Sequence, residues 1–510
     1  MKRTLLTSLI VFLIFAAFLY AVQFATPNLA DHDGYYHIKM AYLMRTQGFK
    51  PHFIWLPLTV LNPREFVDHH FAFHIALIPF TFGDLRLGAK WASVVFPALA
   101  FWAIWWLLRG RRLPLASLWA FGLLVVSEAF IYRMSMPRAQ SLSLAVLALA
   151  LHWLLTGKYG RLIPLAFMYV WLYNAFPLIV LLAGAYSVSV WLVEGRISWK
   201  PVAYTALGVA LGLLVNPYFP DNLIFIFRHI LPKAVDPTST NVGSEWFPYN
   251  TKQLIENSGV ALAAFLLGVM ALGYTGKRMN TATTTGFFLA VGFGAMLFQS
   301  RRFIEYFPPF AVIFTALSCQ PLLEAWLKGE KGPSGLSNVA NWISRRLGRW
   351  LSVPSARRAL LTLVMVGVLF PTGWLNLQAS SKNLTDSARP YQTYAEASIW
   401  LRDNTPAGSR VFQTDWDDFP RQFFYNTHNT YLIGLDPTYM QLYQSDLYEL
   451  WVKITQGDVE SPSAFIRQQF GADYVFTDLN HKDFIQRAEK DPNLKETYRD
   501  EYAIVYQVIP

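Results

Sequence analysis

The loop after the first apolar segment of this 510-residue chain is rich in side chains that bind metal ions or transfer protons. Two clusters are tight, at 31–33 and 68–70. The full set is Asp31, His32, Asp33, His37, Asp68, His69, His70 and His74. Carboxylates bind Mg²⁺ or Mn²⁺ and act as general bases, and imidazoles transfer protons or bind softer metals. The loop predicts a reactive centre; the alternative is that its histidines are polar residues of interfacial amphipathic helices.

Two other segments carry charge beside apolar runs. Arg301 and Arg302 follow the apolar run 281–298, and their planar guanidinium groups suit phosphate oxygens. The alternatives are an ion pair with Glu305 or snorkelling to the membrane interface. Glu245 lies in the long loop 218–258, either as a site residue or as a solvated loop residue.

The composition predicts that membrane helices position these groups. Hydrophobic residues make up 54% of the chain and charged residues 15%, and the mean hydropathy is +0.27. Such a chain is too apolar for a water-soluble protein of this length. About eleven segments are apolar and long enough to span, or nearly span, a bilayer. They are 4–25, 88–108, 113–131, 139–155, 162–173, 176–193, 201–215, 259–274, 281–298, 304–322 and 359–375.

Basic residues between these segments predict the orientation. Lys and Arg cluster in alternate loops and in the linker 323–358, as the positive-inside rule requires of a chain with a cytoplasmic N-terminus. The same short clusters exclude nucleic-acid binding as the reason for the formal charge of +10, because they form no basic stripe. The single cysteine, Cys319, excludes a disulfide framework within the chain.

The sequence divides into two predicted domains. Residues 1–376 form the transmembrane domain, with outer loops at 26–87 and 218–258. An odd number of helices places residues 377–510 outside the cytoplasm, as a soluble domain. Short strands at 410–414 and 474–477 and helices at 394–402 and 463–470 predict an α/β fold there. The expected location is a bacterial inner membrane.

The first loop carries a motif with a family resemblance. Residues 33–39, Asp-Gly-Tyr-Tyr-His-Ile-Lys, are followed by Tyr42-Leu43 and Gly48-Phe49. This pattern resembles the first-loop motif of GT-C glycosyltransferases, and specifically of oligosaccharyltransferase catalytic subunits. The resemblance implies that Asp33 contacts the acceptor and a divalent metal, with Asp31 as a neighbour that shares the role.

Later segments resemble further motifs of that family in the same order. Ser244-Glu245-Trp246 is similar to an element whose glutamate reaches the metal and acceptor, and an arginine at the place of Arg301 or Arg302 holds the lipid phosphate in that family. Residues 415–419, Asp-Trp-Asp-Asp-Phe, resemble the acceptor motif Trp-Trp-Asp-Tyr-Gly of the soluble domain. The resemblance implies acceptor-binding roles for Trp416, Asp417, Tyr35 and Tyr36.

The chain departs from the family in the loop between its third and fourth helices. The family has an acidic pair for the metal there, whereas residues 132–140 contain Arg133 and Arg138 and no carboxylate. Two alternatives follow. Either a divalent cation, Mg²⁺ or Mn²⁺, is bound by another set of residues, or the enzyme needs no metal and Arg138 binds phosphate. The alternative metal ligands are Asp33, His37, Asp68, His69 and His70.

The implied function is transfer of a sugar or oligosaccharide from a polyprenyl-phosphate or -pyrophosphate donor to an acceptor outside the cytoplasm, with inversion at the anomeric carbon. The acceptor class, whether protein, lipid or glycan, is open. A polysaccharide ligase or polymerase is one variant of this function. A lipid or glycan transporter or flippase, and a non-catalytic envelope assembly protein, are the alternatives from other classes.

Overall fold

The computed structural model describes residues 2–230, 243–276, 278–329 and 353–509. Each of the predicted apolar segments is helical in it. Within the described residues, seven helices are long and apolar enough to cross a membrane. These are Thr4–Gln23, Leu85–Gly110, Pro177–Glu194, Thr251–Thr275, Thr281–Gln299, Phe307–Lys328 and Pro354–Ser387. Parts of the predicted segments 218–258 and 323–358 lie outside the described residues.

The other predicted spans differ from straight membrane helices. The predicted segment 113–131 forms two helices, Ala116–Leu124 and Glu128–Met134, that meet at 86°. The break has a local cause, because the Ser127 side chain accepts a hydrogen bond from Phe130 N and begins a new helix. Three further apolar helices are short: Gln140–Leu155, Leu162–Leu172 and Lys200–Leu214. The described part therefore contains eight spans at most by length, if the bent pair counts as one.

Shorter helices at the loop-bearing end of the bundle position the polar segments. The first loop contributes Asp33–Gln47 and Phe71–Leu77, and the later loops contribute Asp221–Phe225 and the short 3₁₀ turns Ser244–Trp246 and Arg301–Glu305.

The last span of the bundle continues into the soluble domain without a break. Pro354–Ser387 has 34 residues and is about 50 Å long at the helical rise of 1.5 Å per residue. It runs through the predicted boundary at 376–377, because residues 377–387 contain no glycine or proline that would end the helix. Only 6% of its most apolar window is buried within the chain, so its apolar surface faces outward.

The soluble domain is built on a mixed sheet of five strands. These are β1 Arg410–Gln413, β2 Thr430–Tyr431, β3 Tyr474–Asp478, β4 Leu494–Arg499 and β5 Ala503–Val508, in the order β2-β1-β3-β5-β4. β1 is parallel to β2 and β3, and β5 is antiparallel to β3 and β4. Helices flank the sheet at Ala395–Asn404, Phe419–Tyr425, Thr438–Tyr443, Ser445–Thr455, Pro462–Gln468 and Lys482–Ala488. The predicted α/β class is confirmed.

An aromatic contact docks this domain on the first loop. The ring of Tyr36 lies 5.7 Å from Phe423 and 6.4 Å from Phe419, and the ring of Tyr35 lies 5.2 Å from Phe424. Buried aromatic pairs of this kind stabilise by more than their buried area alone. The first loop and the soluble domain therefore share one core.

Arg421 fixes the same interface by hydrogen bonds. Its side chain is 1% exposed, and its two Nη groups donate to Pro390 O at 2.7 Å and Arg389 O at 3.2 Å. The guanidinium also lies 4.6 Å from the centre of the Tyr35 ring. This arginine therefore connects the soluble domain to both the end of the long helix and the first loop.

We expect Arg421→Met to destabilise the protein by about 2–4 kcal/mol, because it removes buried charge-assisted hydrogen bonds and a cation–π contact. Thermal unfolding of the purified protein in detergent measures the effect. Arg402→Met is the matched control, since Arg402 is 45% exposed and pairs with the exposed Asp403, and we expect a change within about 0.5 kcal/mol. Equal melting temperatures for the two variants would contradict the assignment.

Candidate active site

The site begins at the N-terminus of the Asp33–Gln47 helix, whose first residue is Asp33. A carboxylate in this position interacts favourably with the helix dipole. The next residue, Gly34, packs directly on Pro137, and a Cβ there would lie 2.0 Å from Pro137 Cγ. Glycine thus permits the close approach that places the start of this helix beside Arg138.

The Arg138 guanidinium contacts three carboxylates. Its Nε and Nη2 donate to both carboxylate oxygens of Asp31. Nη2 also lies 3.2 Å from Asp33 Oδ2, and Nη1 lies 3.7 Å from Glu245 Oε2. The Arg138 side chain is 19% exposed. A planar group with five N–H donors is suited to hold several carboxylates together.

Asp33 is the carboxylate in this group that is best placed to exchange a proton. Burial raises the pKa of Asp33 to about 7; Arg138 opposes the rise, and the neighbouring Asp31, Asp417 and Glu245 add to it. Its side chain is nevertheless 25% exposed. A carboxyl group with a pKa near the working pH suits general base catalysis.

Glu245 has the opposite electrostatic environment. Its Oε2 accepts a hydrogen bond from Arg133 Nη1 at 2.7 Å, and its Oε1 lies 3.6 Å from Arg302 Nη1. Burial alone would raise the pKa of Glu245, but the guanidinium groups of Arg133, Arg302 and Arg138 lower it below its usual range. Glu245 is therefore a permanent anion inside the site, which differs from the solvated-loop alternative.

The two neighbouring arginines of the 301–305 turn face different partners. Arg302 Nη2 donates to the Tyr173 hydroxyl at 2.7 Å, and its guanidinium lies 4.8 Å from the Trp246 ring. Arg301 instead donates from Nε to Pro248 O at 3.2 Å, outside the carboxylate network. Of these two neighbouring arginines, Arg302 belongs to the described cluster and Arg301 does not.

Arg133 and Glu305 complete the network, and sequence reasoning assigned neither a role in the site. Arg133 Nε lies 2.8 Å from Glu305 Oε1, and Nη2 of the same guanidinium contacts that oxygen as well. Glu305 is 0% exposed and Arg133 is 12% exposed. The signals in the sequence were the first arginine of 132–140 and the glutamate four residues after Arg301.

A second buried polar group links His37 of the Asp33–Gln47 helix to residues near the Phe71–Leu77 helix. Asp68 Oδ2 is 2.7 Å from His74 Nδ1, and His74 Nε2 is 2.8 Å from His37 Nδ1. The Asp68 carboxylate favours the His74 tautomer with its proton on Nδ1, so neutral His74 accepts from His37 Nδ1–H. Burial lowers the pKa of His37, so His37 is neutral and can donate from Nδ1. The chain of contacts orients His37 one helical turn from Asp33.

The other two predicted histidine ligands pack against aromatic rings. The His69 ring stacks on Phe225 at 5.1 Å, and the His70 ring lies 5.6 Å from Tyr173. Burial lowers the pKa of His69 to about 4 and also lowers the pKa of His70. Both imidazoles are therefore neutral at physiological pH.

The predicted acceptor residues separate into two groups. Tyr35 is 0% exposed and Tyr36 is 4% exposed, and both pack against the soluble domain. Trp416 lines a cavity of the soluble domain together with Trp451. The burial of the two tyrosines does not suit direct acceptor contacts, whereas the acceptor role of Trp416 stays a prediction. Asp417 does face the site, since its Oδ2 lies 3.7 Å from His32 Nδ1 and its side chain is 38% exposed.

The chain has relatives among glycosyltransferases. Over 273 residues it is 22% identical to dolichyl-phosphooligosaccharide-protein glycotransferase 3 of Archaeoglobus fulgidus. The matched region covers 49% of this chain and 30% of that protein. The chain thus spans under a third of the length of this curated relative. No family model matches the sequence.

Two solved structures share the architecture over nearly the whole chain. The oligosaccharyltransferase AglB of Archaeoglobus fulgidus, in complex with an inhibitory peptide and a dolichol-phosphate, aligns with a TM-score of 0.62 and 14% identity over 95% of this chain and 71% of its own. ArnT of Cupriavidus metallidurans, bound to undecaprenyl phosphate, aligns with a TM-score of 0.56 and 14% identity. The alignment covers 98% of this chain and 97% of the ArnT chain.

The chain has the GT-C glycosyltransferase fold. With its apolar helices, this fold makes the chain an integral membrane protein. The predicted fold class is confirmed, including the small C-terminal sheet domain.

A third solved structure, an Archaeoglobus fulgidus oligosaccharyltransferase, is a complex with Zn and sulfate. That structure aligns with a TM-score of 0.59 and 14% identity, over 98% of this chain and 74% of its own. The side chains described here do not fit such an ion, because within the described ranges no three His, Cys, Asp or Glu residues are grouped to hold one. The predicted ligands that contact other side chains instead are Asp33, His37, Asp68, His69 and His70.

We expect Arg133→Met to destabilise the protein by about 3–5 kcal/mol, because it leaves the buried Glu305 carboxylate without its partner. Arg133→Met/Glu305→Gln removes both charges and should recover most of that loss. Thermal unfolding of the wild type, the two single variants and the double variant gives the coupling energy.

The exposed pair Lys382–Asp386 provides the matched control for this cycle, and replacement of its two members should be nearly additive. Additive losses at Arg133 and Glu305 would show that the two side chains do not support each other.

Proposed function

We propose that this protein transfers a sugar or oligosaccharide from a polyprenyl-phosphate or -pyrophosphate donor to an acceptor on the side of the membrane that carries the soluble domain. The observation that carries the proposal is the network in which Asp33, Glu245 and Arg302 are held together at the junction of the helical bundle and the soluble domain. The ligands of the structural relatives support a lipid-linked donor, since AglB is bound to a dolichol-phosphate and ArnT is bound to undecaprenyl phosphate.

Arg302 is the proposed ligand of the donor phosphate. One of its Nη groups donates to Tyr173, while the other is 3.6 Å from Glu245, beyond ordinary hydrogen-bonding distance. N–H groups of a 24% exposed guanidinium thus remain to bind phosphate oxygens. Arg301, whose Nε donates to Pro248 O, has at most an accessory role in this arrangement.

Asp33 is the proposed proton acceptor. The acceptor's hydroxyl or amide would lose its proton to Asp33 as its oxygen or nitrogen attacks the anomeric carbon of the donor. The bond from that carbon to the phosphate oxygen breaks, and the lipid phosphate leaves with the electron pair. Asp31 and Asp417 lie close enough to influence Asp33 electrostatically and belong to the acceptor side of the site.

The charge that develops on the departing phosphate is the main electrostatic demand of this step. A guanidinium that is already oriented in a sheltered site stabilises that charge without reorganising solvent. A single displacement of this kind inverts the configuration at the anomeric carbon. Inversion is therefore the expected stereochemical outcome.

The proposed orientation follows the distribution of basic loops. With the N-terminus in the cytoplasm, the soluble domain and the network lie on the outer face, in a bacterial inner membrane. The donor's polyprenyl tail would remain in the bilayer beside the helices that carry Arg302, so that only its head group enters the site.

The test is glycan transfer in a deletion strain complemented with the wild type, Asp33→Asn or Arg302→Ala at equal membrane expression. We expect each variant to reduce product at least about 100-fold and to accumulate the lipid-linked precursor. Arg301→Ala should lose less activity than Arg302→Ala. Mass spectrometry of envelope glycans and of lipid-linked sugars measures both quantities.

Asp403→Asn and Arg402→Ala are matched controls, because these two exposed residues form their own ion pair on the soluble domain. They should transfer glycan like the wild type. Unchanged glycans and precursors in the uncomplemented deletion strain would refute the transferase and favour a transporter or an assembly protein instead.

A further inference from the structure

Three carboxylates from distant parts of the chain converge on one guanidinium. Asp31 and Asp33 come from the first loop and Glu245 comes from the 244–246 turn, and all three contact Arg138. A convergence of several carboxylates is the arrangement that hard divalent cations ordinarily require. Here the positive charge among these oxygens belongs to a side chain of the protein.

We propose that the Arg138 guanidinium takes the place of a divalent cation among Asp31, Asp33 and Glu245, and that this centre works without a bound metal. Arg138 is thus a positioning residue that holds the acceptor-side carboxylates together. The part of the inference that concerns catalysis rests on the proposed glycosyl transfer, whereas the part that concerns metal binding does not.

The hydrogen bonds of Arg138 explain why a metal would be excluded. Nε and Nη2 engage both oxygens of Asp31, and Nη2 also approaches Asp33 Oδ2. A guanidinium keeps its proton at any physiological pH, so this positive charge cannot be removed to admit an ion. A Mg²⁺ or Mn²⁺ ion would have to displace Arg138 or bind directly beside it against charge repulsion.

The third carboxylate, that of Glu245, also contacts arginine side chains. Glu245 Oε2 accepts from Arg133 at 2.7 Å, while its Oε1 faces Arg302 at 3.6 Å. Three permanent cations therefore surround the oxygens that a metal would need. Removal of Arg138 alone would free the oxygens of Asp31 and Asp33 and create a site for a hard cation.

The first experiment measures Mn²⁺ binding to the purified, EDTA-stripped protein by electron paramagnetic resonance. We expect no stoichiometric Mn²⁺ site at these residues in the wild type. Arg138→Ala should gain one site per chain, with a Mn²⁺ Kd at least about tenfold lower than that of the wild type. Arg138→Ala/Asp33→Asn should lose the gained site, and Arg402→Ala should behave like the wild type.

The wild type alone decides the inference even where Arg138→Ala does not fold. One tightly bound Mn²⁺ per wild-type chain that Asp33→Asn abolishes would overturn it. A folded Arg138→Ala variant, with a melting temperature near that of the wild type, that gains no Mn²⁺ would overturn it as well.

The second experiment measures glycan transfer by EDTA-stripped wild-type protein in the presence of chelator. We expect activity within about twofold of that with added Mg²⁺ or Mn²⁺, because the organising charge is Arg138. Loss of transfer on chelation that Mn²⁺ restores would overturn the inference. Absence of transfer under every condition would count against the proposed function, and the Mn²⁺ binding measurement would then decide the inference by itself.

Discussion

A partly buried network of guanidinium groups and carboxylates constrains every element around the site. Taking such charges out of water is costly, and a buried charge that loses its partner costs more than the pair contributes. The loops that carry these groups therefore cannot separate without a large loss of stability. The carboxylates are Asp31, Asp33, Glu245 and Glu305, and the guanidinium groups are those of Arg133, Arg138 and Arg302.

The number of charges in the network also indicates which carboxyl group can accept a proton. Four carboxylates face three guanidinium groups, so one formal negative charge is in excess. Arginines hold Glu245 ionised, whereas burial and the neighbouring carboxylates raise the pKa of Asp33 to about 7. Environments that drive two acids apart in pKa assign them different roles. Asp33 is thus suited to accept a proton and Glu245 to remain a fixed charge.

Sequence reasoning located the apolar helices, although it predicted more spans than the seven or eight that the described residues contain, and it located the α/β class of the soluble domain and the segments that carry the network. Apolar runs and loop charges are local properties, and they could be read directly. The pairing of residues could not be, since Arg133 and Glu305 are 172 positions apart. For the same reason a list of metal-capable side chains did not show that Asp68 and His37 both contact His74. Strand β2 has only two residues and the edge strand β4 is rich in charged residues. Neither shows enough alternation of apolar and polar residues to be predicted from the sequence.

The position of the network between two domains has a functional consequence. Asp417 belongs to the soluble domain and lies 3.7 Å from His32 of the first loop, so both domains contribute charge to one site. The aromatic contacts of Tyr35 and Tyr36 fix the soluble domain against the first loop. These two motif residues are therefore buried and are not accessible to an acceptor. In the proposed transfer, an acceptor would enter along the junction, toward the partly exposed face of Asp33. The sheltered geometry that would strengthen electrostatic stabilisation of a leaving phosphate would then also restrict which acceptors reach it.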